Sequence, residues 1–204
     1  MLFLDELPEF DRHVLEVLRE PLESGRIAIA RAARSIEFPA RFQLLAAMNP
    51  CPCGYAGDAS GRCHCTPEQI ARYRNRISGP LLDRIDLHVE VPRVALEDLM
   101  AARGGADEDS ATVRARVLAA RAHAQARAGV VNAQVRAADL LAHCALGAPE
   151  RALLARAVER MRLSARGYHR ILRVARSIAD LDGGAACVSR EHLAEALQFR
   201  GAVQ

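Results

Sequence analysis

The apolar residues of this chain change their period near residue 95, and that change bounds the folds open to it. Before it, short apolar runs and two-residue alternation are interleaved with three-to-four-residue spacing, the mark of strands mixed with helices. After Pro92 only helical spacing remains, interrupted by the turn-rich stretches GGADEDS, AGVVNAQ, ALGAPE and DLDGGAACVS. A chain of 204 residues can bury two small cores. The expectation is an α/β domain over residues 1–95 and an all-α domain over 96–204. Charge divides at the same place: 12 Arg against 13 acids before it, 16 Arg against 12 acids after it.

Within the first part, MLFLDE reads as a short buried strand closed by charge. The segment PEFDRHVLEVLREPLESG carries a helical face through Val14, Leu15, Val17, Leu18 and Leu22, ending before Gly25. Alternation in RIAIARAARSIEF predicts a β-hairpin with Arg31 and Arg34 near its tip. QLLAAMNP is a second buried strand, stopped by Asn49-Pro50. A helix over TPEQIARYRNRI follows, with Thr66 as its cap and Pro67 in its first turn. A further strand is expected near Leu87–Val91, and a mobile surface loop over residues 104–110.

Composition excludes several classes. All 28 basic residues are arginine, so the lysine of a G-x-x-x-x-G-K-[ST] phosphate loop is absent from these 204 residues. No apolar run approaches the ~18 residues of a membrane span, and the first residues lack the basic start of a secretory signal. These features suggest a cytoplasmic protein without a membrane partner, in which six cysteines stay reduced unless they hold a metal.

An apolar strand ending in Asp5-Glu6 has the Walker B arrangement. One carboxylate can hold Mg²⁺ near the β,γ-phosphates of a nucleotide, and a second can orient the attacking water. The same pattern also describes an ordinary strand end. Asn49 ends the next buried strand, where a polar side chain could share that water. Arg84 follows in SGPLLDRIDL, and arginines 166, 170, 173 and 176 recur at helical spacing in LSARGYHRILRVARSIADL.

In order and spacing these segments resemble AAA+ ATPases, the P-loop NTPases that work as rings, and more closely their Mg-chelatase-like ComM/YifB family. LFLDELPEF, LLAAMNPCPCGY, PEQIARYRNRISGPLLDRIDLHVEVP and LSARGYHRILRVARSIADL carry the resemblance nearly from end to end. It implies a truncated AAA+ core with a β-hairpin inserted before sensor 1, followed by a helical lid. Asp5 and Glu6 match the Walker B pair, Asn49 matches sensor 1, and Arg84 matches the arginine finger. Arg166 matches the sensor 2 arginine over the γ-phosphate, with Arg170 as the alternative. ATP and Mg²⁺ would be the cofactors and a homo-oligomeric ring, a hexamer, the assembly. The phosphate loop and a domain related to Lon proteases would precede Met1, leaving these 204 residues inactive by themselves.

Cys51, Cys53, Cys63 and Cys65 form C-x-C-x₉-C-x-C within fifteen residues, with Gly54, Gly57 and Gly61 between the pairs. Four thiolates suit tetrahedral Zn²⁺ in a structural role. Disulfides, free thiols and an iron–sulfur cluster are the alternatives, and His64 could replace one cysteine. Cys144 and Cys187 read as ordinary small apolar residues. The hairpin is similar to one shared by MCM helicases, the RuvB motor and magnesium chelatases. The resemblance implies that Arg31 and Arg34 meet DNA phosphates in a central pore. Of three functions, a DNA motor for branch migration in recombination and natural transformation is expected for the parent protein and a non-enzymatic interaction module for these 204 residues alone, with a metal-insertion ATPase as the alternative.

Overall fold

A computed structural model of the chain describes residues 1–31, 34–58, 60–94, 100 and 108–201. The chain forms two compact units, Met1–Ile85 and Asp86–Gln204. Their junction precedes the change of sequence period near residue 95 because the segment after Ile85 is bonded to helices, as described below.

In the first unit, β1 (Leu2–Leu4) runs parallel to β4 (Leu44–Ala46), with Leu2 opposite Leu44 and Leu4 opposite Ala46. The Ala47 amide donates to Leu4 O at 2.9 Å and the Leu7 amide to Ala47 O at 2.9 Å, so the pairing outlasts the strands. Strand alternation turns Leu4 and Ala46 toward a core of Leu7, Leu15, Ile77 and Leu81. Phe3 and Leu45, on the other face, stay about half exposed.

The helical face after Pro8 forms two helices, α1 (Arg12–Val17) and α2 (Arg19–Ser24), rather than one. Pro21 has no amide to donate to Val17, and the ladder breaks there. Gly25 takes φ +69 as the C-cap, a left-handed turn in which a side chain would be strained. The chain then enters an antiparallel hairpin, β2 (Arg26–Arg31) and β3 (Arg34–Pro39), pairing Ile27 with Phe38, Ile29 with Ile36 and Arg31 with Arg34. Helix α3 (Pro67–Arg74) begins in a capping box: the Gln69 amide donates to Thr66 Oγ1 and the Thr66 amide to Gln69 Oε1. A short α4 (Gly79–Leu82) follows, capped by Ser78.

The second unit is helical: α5 (Ser110–Ala128), α6 (Ala137–Cys144), α7 (Ala148–Arg160), α8 (Ala165–Leu181) and α9 (Arg190–Gly201). Helix α8 is central, burying Gly167, Ile171, Leu172, Ala175 and Ala179 along one stripe. Leu140, Cys144, Leu154, Val188, Leu193 and Ala196 close the core around it. Cys187, by contrast, is exposed.

The strand expected near Leu87–Val91 does not form. Its alternating apolar residues face outward, with Val89 64% and Val91 86% exposed, while Asp86 and His88 bond to helices. The expected loop at 104–110 lies largely outside the described residues. None of the described helices is long and apolar enough to cross a membrane.

Candidate functional site

Parallel pairing of β1 with β4 brings their C-terminal ends together, and these ends carry the acidic pair and the approach to Asn49. Asp5, Glu6 and Asn49 are all exposed. Asp5 Oδ1 accepts the Glu6 amide at 2.9 Å. Glu6 itself sits in the left-handed region, φ 51 and ψ 47, at the start of a 3₁₀ turn over Leu7–Glu9. A left-handed conformation at a residue with a side chain costs on the order of 1 kcal/mol or more.

Sequence reasoning did not single out Tyr73. It is buried, makes a backbone hydrogen bond with Asn49, and feels the charges of Glu9, Glu6 and Cys51; burial raises its phenol pKa. Gly54 lies near the same asparagine: a Cβ there would be 3.9 Å from Asn49 Oδ1. The α3 side chain thus bonds the Asn49 backbone while the cysteine loop passes close to its amide group. An aromatic on the inward face of α3 was the only trace of this in the sequence.

The four cysteines of the loop converge. The Cys51 and Cys53 sulfurs are 3.3 Å apart, Cys51 and Cys63 3.8 Å, and Cys53 and Cys63 3.6 Å, and all four sulfurs lie within 4.8 Å of one another. Tetrahedral zinc with Zn–S bonds near 2.3 Å separates its sulfurs by about 3.8 Å, so the quartet fits that ion with little movement. The Ala56 amide donates to Cys51 Sγ at 3.3 Å, and the Gly54 amide to Cys51 O at 3.0 Å, closing the first knuckle. Arg62 stacks over the Tyr55 ring at 4.3 Å and ties the loop's two arms. Backbone hydrogen bonding at Tyr55 and the Cys51 side chain hold the Cys53 thiol down to about 6, whereas its bond to Cys53 pushes Cys65 up to about 12. His64 is not among the converging groups.

Arg84 lies at the end of the first unit, with only 7% of its side chain exposed. Its Nε donates to Arg19 O at 3.1 Å and its Nη1 to Pro80 O at 2.7 Å, while Nη2 bonds the Glu23 carboxylate. The guanidinium is therefore held inside its own unit. Glu23 is a second residue that the sequence did not mark, being 61 positions from its partner.

In the second unit, the α8 arginines differ in burial along the helix. Arg166 is exposed. Arg170 is 13% exposed and ion-paired with Asp86. Arg173 donates to Val135 O at 3.1 Å. Arg176 is fully buried against Asp180, Nη2 to Oδ1 at 3.1 Å. Arg166 is the one of the four whose position in the helix opens to solvent. The side chains of Arg31 and Arg34 lie outside what is described; their backbones form the last described pair of the hairpin.

Residues 1–99 match the family described as magnesium chelatase, subunit ChlI, and residues 107–200 match its C-terminal family. The competence protein ComM of Haemophilus influenzae is 48% identical over 204 residues, which is the whole of this chain and 39% of that protein. The YifB proteins of Salmonella typhimurium and Escherichia coli are each 44% identical over 200 residues, 98% of this chain and 39% of theirs. The chain thus spans about two-fifths of the length of these relatives, and it belongs to the Mg-chelatase-like family that includes ComM and YifB.

Proposed function

We propose that these residues form the Walker B, sensor and lid portion of a AAA+ ATPase, and that the parent protein is a ComM-type DNA motor working as a ring. The observation that carries this reading is the shared edge of β1 and β4, which sets Asp5 and Glu6 beside the stretch ending in Asn49. Nucleotides bind at the C-terminal edge of parallel strands, where side chains and helix ends converge. Magnesium-ATP, when bound, supplies the phosphoryl group and the cation that screens its charge. In this reading Asp5 holds the cation, Glu6 orients the attacking water, Asn49 fixes that water from the second strand, and Arg166 neutralises the γ-phosphate. Arg84 serves a neighbouring subunit, which requires it to leave Glu23.

The 204 residues contain no phosphate loop, so most phosphate contacts must come from elsewhere. The expected outcome is no turnover by this chain alone, and ATP hydrolysis by a version extended upstream to the length of its relatives. Glu6→Gln in that longer protein lowers kcat by at least about 100-fold while nucleotide still binds. Turnover by the 204-residue chain that disappears with Glu6→Gln would overturn the need for the upstream part.

DNA is the expected substrate because the last described pair of the hairpin consists of two arginines, Arg31 and Arg34. Changing both to alanine in the longer protein weakens DNA binding and lowers the slope of log affinity against log salt by about 2, leaving basal hydrolysis intact. Unchanged affinity would remove DNA from the hairpin. The chelatase family description supports a second reading, a metal-insertion ATPase. Hydrolysis stimulated by DNA favours the motor over that reading.

A further inference from the structure

The loop that carries the four cysteines also carries an aromatic ring and a guanidinium in fixed contact. Tyr55 stands two residues after Cys53, and Arg62 immediately precedes Cys63, so each is anchored beside a member of the converging quartet. The guanidinium carbon of Arg62 lies 4.3 Å from the centroid of the Tyr55 ring, and Arg62 Nε donates to Ser60 Oγ at 3.0 Å. The Ser60 amide in turn donates to Asp58 Oδ1 at 2.7 Å. These bonds hold the guanidinium against the ring, yet Tyr55 and Arg62 are both exposed. Among the described residues, the two Nη groups of Arg62 have no hydrogen-bond partner. A second exposed arginine, Arg74 of α3, reaches the foot of the loop, where its Nε donates to Pro50 O at 3.4 Å.

We infer that Tyr55 and Arg62 form a stacking platform for an unpaired base of single-stranded DNA, with Arg74 and the Nη groups of Arg62 meeting its phosphates. The platform deepens the role of the parent protein as a DNA motor and rests on that reading. A guanidinium is planar, delocalised and weakly hydrated, so the face not turned to the tyrosine offers a base a flat surface that is easily stripped of water. An exposed arginine ordinarily loses side-chain freedom when it stacks. In this loop the Tyr55 ring and the Ser60 hydroxyl have already restricted it, so binding orders less. A contact with phosphate alone needs no such arrangement, because any mobile arginine supplies the charge. Base pairing hides both faces of a base within the stack, so the platform favours a single strand over a duplex. Stacking also accepts every base, which suits a motor that moves along any sequence.

The test titrates the 204-residue chain with an oligothymidylate of about 12 nucleotides, within the usual site size for a single strand. Arg31→Ala and Arg34→Ala are in place throughout, so that the hairpin does not contribute. Arg62→Ala and Tyr55→Leu each lower affinity for the strand by about fivefold or more, and for a duplex of the same length by less than about twofold. Arg62→Lys keeps the slope of log affinity against log salt without recovering the affinity, since the charge stays and the plane is lost. The chain has no tryptophan, so tyrosine emission can be followed directly; the strand quenches it, and Tyr55→Leu removes the quenching. Melting temperatures equal to that of the unaltered chain exclude unfolding as the cause. Full affinity with Arg62→Lys, or equal losses for strand and duplex, would reduce the pair to a charge contact and overturn the platform. Tighter Arg62-dependent binding of an oligouridylate RNA would overturn the assignment to DNA. Binding abolished by the two hairpin changes alone would refute the platform and leave the motor reading standing. Failure of the longer protein to bind DNA at all would sink both.

Discussion

Replacing Asp180 with alanine unfolds the helical unit more readily than any surface change, at a cost of about 3–5 kcal/mol. The carboxylate, 1% exposed, is the hub of a buried polar network. It accepts from Arg127 at 2.5 and 2.8 Å, from Asn132 Nδ2 at 2.7 Å and from Arg176 Nη2 at 3.1 Å. Arg176 is equally buried, with additional bonds to the carbonyls of Ala185, Ala186 and His143. Removing the carboxylate strands one arginine in the core and a second at its edge. The expected fall in melting temperature exceeds about 10 °C. Asp139→Ala, which breaks an exposed pair with Arg136, leaves it unchanged within error. Equal melting temperatures for the two variants would mean that the network is dispensable.

The same residue sets an acid limit. Burial pushes the Asp180 pKa up, but the hydrogen bonds from Arg127 and Asn132 and the charge of Arg176 outweigh it and hold the group below its ordinary 3.8. A carboxylate whose folded pKa is depressed contributes stability above its unfolded pKa and loses it as pH falls through the folded value. The contribution is therefore whole at neutral pH and is lost progressively as the pH falls from the ordinary aspartate value through the lower folded one. Asp180→Ala should flatten that part of the unfolding profile.

Metal removal has the second large effect, confined to the other unit. Chain purified without chelator should carry one zinc, and Cys51→Ser or Cys53→Ser should lose it. Structural zinc sites contribute an apparent 10 kcal/mol or more of binding free energy at neutral pH, on the order of what a whole domain's stability amounts to. Here much of that energy would hold residues 49–66, whose described hydrogen bonds are mostly short-range turns such as Gly54 to Cys51 O, Asp58 to Tyr55 O and Gly61 to Asp58 O. Stripping the ion is expected to raise exchange at Gly54 and Ala56 by orders of magnitude. The helical unit, which has its own core around Leu140, Ile171 and Leu172, should melt as before. A metal-free sample with undiminished protection in the loop would refute the site.

The cysteine quartet was legible because its four members lie close in sequence, and a tetrahedral metal site would ask little beyond four thiolates. Cap signals were equally readable at Thr66, since a capping box is satisfied within four residues. The strand expected at Leu87–Val91 failed for the converse reason. Alternation tells that a segment is extended, but which side is buried depends on the partner, and here α8 and α9 take the polar side through Asp86 and His88. Buried arginines were the least readable. Arg176 and Asp180 are one helical turn apart, so their pairing has a local signature. Arg84 and Glu23 meet only through the tertiary fold, and nothing near either residue announces it. The juxtaposition of Asp5 and Glu6 with the Asn49 segment was inferred from order along the chain; its physical form is the parallel register of two three-residue strands.

The left-handed backbone at Glu6 has a consequence for how such a protein responds to selection. Glycine would relieve that torsional cost, so thermostability by itself favours losing the very carboxylate on which hydrolysis would depend. A lineage released from the need to turn over nucleotide would be expected to drift at this position before its hydrophobic interior changed.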